Sequence, residues 1–419
     1  MTRPSRFPAK CVRSNAYVED LNLAGKPIAP ARRVRDVKYA VRDVVVLAQQ
    51  LADQGQRMLY LNIGDPNPCG FRPPEAMLDA VKVAMDANHN GYAPSDGIDA
   101  AIAAIAREAE RKGVRSPVHT WIGNGASEVI DMALTALVNP GENVLTPSPG
   151  YPLYTALLAK LEAQNRPYHL DEDRGWLPDV DDIARQIDEK TRAIVVINPN
   201  NPTGSVASES ALRAIVDLAA EHDLVVFADE IYDRLLFDGK EHVALGSLRD
   251  DATVLTLGGL SKNWVVPGFR IGWGVLGGDA DRLADYVEAI QQLGRARLSA
   301  NHPEQHAIAP ALDGDQSHLA AMIDELSARR DLAVDRLNAI SGISCVAPQG
   351  AFYAFPRIEV EADDQIWCQD LMRETGVVVV PGSGFGQREG TQHFRIVLLP
   401  DRDQLSDAFD GIEAFMRRT

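Results

Sequence analysis

Lysine is scarce in this 419-residue chain: nine lysines stand against 33 arginines. Each lysine can therefore be weighed singly as a candidate nucleophile. Cysteine is scarcer still. Cys11, Cys69, Cys345 and Cys368 lie far apart with no Cys-x-x-Cys pair, which excludes a disulfide framework and points to reduced, incidental thiols. Long apolar runs are missing. Residues 44–48 and 377–380 are far below the roughly 18–20 residues of a membrane span. The basic segment 1–13 has no apolar run behind it, so no secretory signal is expected and the cytoplasm is the expected location. Positive charge is in deficit, with 42 Lys and Arg against 59 Asp and Glu, a net charge of −17. A surface that acidic repels nucleic acid and anionic lipid, so neither is an expected partner.

What remains is ordinary globular material, 45% hydrophobic and 24% charged, long enough for about two domains. There is no internal repeat and no low-complexity tract. Residues 1–38, rich in Arg, Pro and Asn, lack apolar periodicity and read as an arm. Residues 43–55 read as a helix closed by Gly55, and 58–63 as a short strand broken by Gly64-Asp-Pro-Asn-Pro. In the middle of the chain, apolar strands at 192–197, 224–228 and 253–257 alternate with helical segments such as 209–222. Strands apolar on both faces and separated by helices predict a parallel sheet in an α/β fold. After about residue 301 the pattern changes. A helix over 317–340 leads to short strands around 350–355, 377–380 and 394–398, then to a final helix over 402–417. This predicts a smaller α+β domain.

Ligands of open parallel sheets bind beyond the carboxyl ends of the strands. Asp229 closes one such strand and opens Asp229-Glu-Ile-Tyr232. Asn198 closes the preceding strand and opens Asn198-Pro-Asn-Asn-Pro-Thr-Gly204. Ser261-Lys262 follows the third, after Gly258-Gly259. Singly these read equally well as a capping Asp, a turn Asn and a solvated Lys; together they bring a carboxylate, an amide and an amine to one edge. Lys262 is flanked by Leu260, Trp264, Val265 and Val266, a setting in which a partly desolvated amine can serve as nucleophile or Schiff-base partner. The other eight lysines read as solvated. Gly123-Asn-Gly125-Ala-Ser-Glu128 joins a strand at 119–122 to an apolar helix at 129–138, and amides at a helix N-terminus bind phosphate. A dinucleotide would need a third Gly where Glu128 stands. Arg270 can add a phosphate-pairing guanidinium, or can be a surface ion-pair partner. A phosphate site, a lysine amine and a carboxylate for a ring nitrogen are together the demands of pyridoxal phosphate. Tyr151 can stack on its ring, or be an ordinary buried aromatic. Two other motifs are set aside. His302-Pro-Glu-Gln-His306 is not His-Glu-x-x-His and Pro303 disfavours a helix interior, so no metal is expected. Gly382-Ser-Gly-Phe-Gly386 lacks a P-loop lysine and reads as a turn.

These motifs carry a resemblance. From about residue 39 onward the chain resembles the class I aminotransferases among the fold-type I pyridoxal-phosphate enzymes. The likeness rests on Asn201-Pro-Thr-Gly204, Asp229-Glu-Ile-Tyr232, Ser261-Lys262 with Gly268-Phe-Arg270, and Phe394-Arg395-Ile396. Within that group it is most similar to alanine (glutamate–pyruvate) aminotransferases, through Leu61-Asn-Ile-Gly-Asp65, Ile122-Gly-Asn-Gly125, Tyr151-Pro-Leu-Tyr154, and Ser299-Ala-Asn301 with Gln305-His-Ala307. The resemblance implies an arm at 1–38, a small domain from 39–64 and 318–419, and a large cofactor domain over 65–317 built on a mostly parallel sheet between helices.

The resemblance also implies roles. Lys262 holds the cofactor and moves the proton between substrate Cα and cofactor C4′. Asp229 pairs with the pyridine nitrogen, Asn201 and Tyr232 with the phenolic oxygen, and Tyr151 stacks on the ring. Ala126, Ser127, Ser261 and Arg270 hold the phosphate, and Tyr92 reaches the phosphate of a partner subunit in a homodimer. Arg395 takes the substrate carboxylate, with Gly64, Asn201 and Tyr39 beside it; Ala40 also lines the pocket. Arg295 or Arg297 meets a second carboxylate across the dimer or is structural. One departure is plain: many relatives have Ser or Thr where this chain has Gly259. The expected reaction is transamination between an L-amino acid and a 2-oxo acid, foremost alanine/pyruvate with glutamate/2-oxoglutarate. An aspartate, aromatic or pathway-specific aminotransferase, or a β-lyase with the same cofactor, is the alternative. A transcription regulator is disfavoured, because residues 1–38 are too short for a DNA-binding domain.

Overall fold

The structure is a computed structural model that describes residues 28–37 and 40–418. Tyr39 and most of the expected arm lie outside the described residues. Of that arm, Arg32–Asp36 forms one exposed 3-10 turn, where Arg32 pairs with Glu162 at 3.5 Å.

The first strand, β1 (Leu59–Tyr60), is short and runs parallel to Val377–Val378. The large sheet follows. Among the described residues it has eight strands: β2 (Pro117–Asn124), β3 (Asn143–Ser148), β4 (Gln164–Asp171), β5 (Leu177–Pro178), β6 (Thr191–Ile197), β7 (Val225–Asp229), β8 (Thr253–Gly259) and β9 (Ile271–Gly277). Their spatial order is β2-β9-β8-β7-β6-β3-β4-β5. β9 and β5 run against the other six, so the sheet is mostly parallel.

Its central strands are apolar because both faces are covered. Ala193, Val195 and Ile197 of β6, Val225 and Phe227 of β7, and Leu255 and Leu257 of β8 point into one core, shared with Ala126–Leu137 and Ala280–Arg297. The alternate residues Ile194, Val196, Val226, Ala228 and Val254 enter the opposite core under Glu209–Glu221 and Val180–Gln186. At about 1.5–3 kcal/mol for each fully buried large apolar side chain, this double burial fixes the strand register.

A further core gathers Leu61, Trp367, Phe394, Ile396, Phe409 and Ile412 beneath Ser317–Asn338, Asp364–Thr375 and Arg402–Met416. Its central strand, Gln392–Val397, is antiparallel to Tyr353–Ala354, Arg357–Ile358 and Val380–Pro381. Helix Ala40–Asp53 starts earlier than the sequence predicts, and Gly55 ends the turn beyond it at φ 91°.

Three segments differ from the expected strands and turn. Residues 350–355 shorten to Tyr353–Ala354, because the Gly350 and Ala351 amides are drawn to the Gly204 and Leu235 carbonyls and Ala351 is left-handed at φ 56°. Residues 377–380 divide between two partners, Val377–Val378 joining β1 and Val380–Pro381 joining Gln392–Val397. Gly382–Phe385 is a 3-10 helix rather than a bare turn.

Candidate active site

The parallel strands deliver their carboxyl ends to one edge. β7 ends at Asp229, which is 4% exposed. Its Oδ2 accepts a 3.1 Å hydrogen bond from the Tyr154 hydroxyl, while Oδ1 is buried with no hydrogen-bond partner. Burial pushes the Asp229 carboxyl up to about 6; the Tyr154 hydroxyl and the neighbouring Ile231 amide pull the other way. β8 runs into Leu260, Ser261 and Lys262. Leu260, Trp264, Val265 and Val266 are buried and wall the lysine's backbone. The Lys262 Nζ donates to the Gly64 carbonyl at 2.9 Å and stands 6.0 Å and 5.5 Å from the Tyr232 and Phe352 ring centroids.

Asn201, on the loop after β6, is buried, and its Oδ1 accepts from Arg395 Nη1 at 3.3 Å. Arg395 is 2% exposed. Its other terminal nitrogen donates to the Asn62 carbonyl, and its guanidinium centre lies 4.8 Å from both the Tyr353 and Phe385 ring centroids. Both of these hydrogen-bond acceptors are neutral. The Tyr232 hydroxyl meets that of Tyr353 at 2.9 Å. Burial, then Tyr353, holds the Tyr232 phenol well above its usual range, so it remains a proton donor. Tyr151 is half-buried and near enough to Tyr154 and Tyr232 to add to the upward shift of both.

β2 feeds the third component. Beyond Asn124 the chain turns at Gly125 (φ 80°) and starts helix Ala126–Leu137 with no side-chain cap. The first-turn amides of Ala126 and Ser127 are thus left for another acceptor. A methyl at Gly125 would strike the Arg270 guanidinium, and one at Gly272 would strike the Ala126 amide. Arg270 is exposed and left-handed at φ 53°, a strained conformation for a non-glycine residue. It makes a 3.0 Å bond to the Pro267 carbonyl and long 3.4 Å bonds to Ser127 Oγ and the Asn124 carbonyl. A helix N-terminus facing a guanidinium held by neutral groups is a cradle for a dianion. Ser261 is half-buried just after β8. Tyr92 stands apart, 82% exposed.

Other residues find different uses. Arg297 is held by Glu128 at 3.0 Å and by the Ser95 and Ile122 carbonyls at 3.0 and 2.8 Å, where it braces the cradle from behind. Arg295 pairs with Glu288 at 2.6 Å on the surface. Gly259 lies so close to β9 that an added Cβ would sit 2.9 Å from the Ile271 carbonyl, so a hydroxyl-bearing residue has no room. Lys112 corrects the expectation that every lysine but Lys262 is solvated. Its side chain is 19% exposed and paired with Asp233 at 2.5 Å and Glu230 at 3.5 Å. Burial pulls its ammonium down, but Asp233 and Glu230 outweigh it and hold the group above its usual range. Tyr353 is the site residue that sequence reasoning missed. It touches Tyr232, lies under Arg395 and abuts Gly64, yet in sequence it is only an aromatic in a short strand.

A lysine amine, a buried carboxylate and an anion cradle thus stand together at the ends of one parallel sheet, a set of groups suited to group transfer. Comparison with known proteins identifies the family. The family described as aminotransferase class I and II matches residues 56–412. The chain belongs to this family and is an aminotransferase. It is 42% identical over 394 residues to the glutamate-pyruvate aminotransferase AlaA of Haemophilus influenzae, covering 92% of this chain and 97% of that protein. It is 40% identical over 404 residues to the alanine aminotransferase of Mycobacterium tuberculosis, covering 93% of each. Among solved structures it resembles alanine aminotransferase from Pyrococcus furiosus, with TM-score 0.90 and 38% identity over 93% of this chain and 100% of that one. An aspartate aminotransferase from Thermus thermophilus with maleate follows the same fold at TM-score 0.84 and 28% identity, over 93% and 100% of the chains. The expected fold-type I architecture is thereby borne out.

Proposed function

We propose that this aminotransferase carries pyridoxal phosphate and exchanges an amine between alanine/pyruvate and glutamate/2-oxoglutarate, working as a homodimer. The observation that carries the cofactor reading is the buried, unpartnered Oδ1 of Asp229 at the same strand edge as Lys262. An orphaned carboxylate oxygen in an apolar floor awaits a donor, and a protonated pyridine nitrogen is one. The crowded glycines at 125 and 272 bring backbone amides and Arg270 within reach of a phosphate. The relatives named for alanine and for glutamate–pyruvate support the substrate pair.

Pyridoxal phosphate, when bound, supplies an electron sink that makes the substrate Cα–H bond acidic. The chain does the rest. Ala126, Ser127, Ser261 and Arg270 would hold the phosphate, Asp229 would keep the ring nitrogen protonated, Tyr151 would stack on the ring, and Asn201 and Tyr232 would donate to its phenolic oxygen. Arg395 binds the substrate α-carboxylate as a bidentate pair, with the Gly64 backbone and Tyr39 beside it. With the cofactor bound, the Lys262 amine would be the group that carries the proton between substrate Cα and cofactor C4′. Tyr92 serves the phosphate of the neighbouring subunit.

Lys262→Ala tests this reading. Alanine turnover with 2-oxoglutarate is expected to fall by about 10⁴-fold, because the variant loses both nucleophile and proton carrier. Multiple-turnover transamination by the variant would refute it. Release of pyruvate and ammonia from a β-substituted amino acid without any 2-oxo acid would instead mark a β-lyase.

A further inference from the structure

Away from this site, three histidines meet that the mechanism does not use. His302 opens the short helix His302–Gln305, with Pro303 in its first turn where proline is tolerated, and His306 follows it. His89, far earlier in the chain, comes after helix Glu75–Asp86 through Asn88, left-handed at φ 65°. One ring nitrogen from each lies within 4.8 Å of the other two. The ring centroids are 5.0 Å apart for His89 and His306, and 5.6 Å for the other two pairs.

All three rings stand on fixed backbone. The His89 amide donates to the Ala84 carbonyl at 2.9 Å. On the other side, Asn301 Nδ2 donates to the Phe269 carbonyl at 2.7 Å, and buried Gln305 accepts from the Ile98 amide at 2.9 Å. The ring nitrogens are also set up as donors of lone pairs. His302 Nδ1 lies 3.0 Å from the Gly91 carbonyl. A carbonyl only accepts, so Nδ1 carries the proton and Nε2 keeps its lone pair, the arrangement that outer hydrogen bonds give metal-bound imidazoles. His306 Nε2 is buried and has no hydrogen-bond partner.

We propose that His89, His302 and His306 bind one divalent transition ion of the zinc class, with a fourth position left to water. Three imidazoles without a carboxylate or thiolate suit Zn²⁺, Co²⁺ or Ni²⁺ and not the oxygen-seeking Mg²⁺ or Ca²⁺. Zinc–nitrogen bonds place ligand nitrogens about 3.4 Å apart, so side-chain rotations of about 1 Å close the cluster. The bound ion would tie the turn that leads to Tyr92 to the Asn301 segment, whose side chain holds the carbonyl next to Arg270. Its role is that of a staple beside the phosphate cradle, not of a catalytic centre. The His302/His306 pair alone did not disclose it, because the third ligand arrives only through the fold.

The test is equilibrium dialysis of tag-free, chelator-stripped holoenzyme against Zn²⁺ and, separately, Co²⁺. About one equivalent per chain is expected, with ligand-field absorption of a four-coordinate Co²⁺ site. His89→Ala and His302→Ala should each weaken binding by at least roughly tenfold, whereas His222→Ala, an exposed histidine elsewhere, should not. Neither His89 nor His302 is buried, so these variants are expected to fold, and their circular dichroism and cofactor absorbance verify it. No retained ion in the wild type, or equal retention in His89→Ala and His302→Ala, overturns the proposal.

Discussion

At the scale of single residues, Asp229 shows what the site costs. Its carboxyl is pushed up to about 6 by burial, while an unfolded aspartate stays near its ordinary value of 3.8. A raised carboxyl favours folding when protonated. Its penalty is therefore absent below about pH 3.8, grows between 3.8 and 6, and is complete above 6, where it amounts to about 3 kcal/mol. Asp229→Asn removes that charge. Cofactor-free Asp229→Asn is thus expected to unfold at higher urea than cofactor-free wild type at pH 7.5, with the difference shrinking toward pH 4. The same variant should transaminate poorly if the site holds the proposed cofactor, since an amide cannot hold its ring nitrogen protonated. An equal urea midpoint at pH 7.5 would show that Asp229 bears no such strain.

At the scale of elements, the close pairing of β8 with β9 explains why glycine stands at position 259. Gly259 sits opposite Gly272, and a Cβ there would lie 2.9 Å from the Ile271 carbonyl and 3.0 Å from Ile231 Cδ1. Gly259→Ser is expected to cost roughly 1–3 kcal/mol of stability through overpacking and to bring no tighter hold on the cofactor. Urea denaturation of the loaded enzyme and cofactor dissociation rates measure both. A serine that strengthened cofactor binding without loss of stability would contradict the strand geometry. The same sheet shows what a sequence can disclose. β6, β7 and β8 are continuous apolar runs whose ends carry Asn198, Asp229 and Lys262, so strands and chemistry could be read together. The groups around them were less legible. Tyr353 and Lys112 owe their roles to partners remote in the chain, Tyr232 and Asp233 respectively, and no local pattern announces such pairs. Short strands depart from their apolar pattern where backbone hydrogen bonds to another element outweigh it, as at Gly350 and Ala351.

At the scale of the whole molecule, the proposed homodimer makes each site the joint product of two chains. Exposed aromatic rings are common, so the 82% exposure of Tyr92 carries little weight by itself. It gains weight from the family resemblance, which puts this residue at the phosphate of a partner. If each site takes Lys262 from one subunit and Tyr92 from the other, two crippled variants can repair each other. A Tyr92→Ala chain still offers a sound Lys262, and a Lys262→Ala chain still offers a sound Tyr92. In a hybrid dimer both sound residues meet at one site, and both defects fall together at the other. Random reassortment makes half the dimers hybrid, each with one competent site, so the mixture should approach about a quarter of the wild-type rate. That rate should exceed the average of the two variants assayed apart, most clearly when cofactor is limiting and the lost phosphate contact matters most. Mixing after subunit exchange, with activity followed over time, gives the measurement. If the mixture never rises above that average, Tyr92 acts within its own chain or not at all.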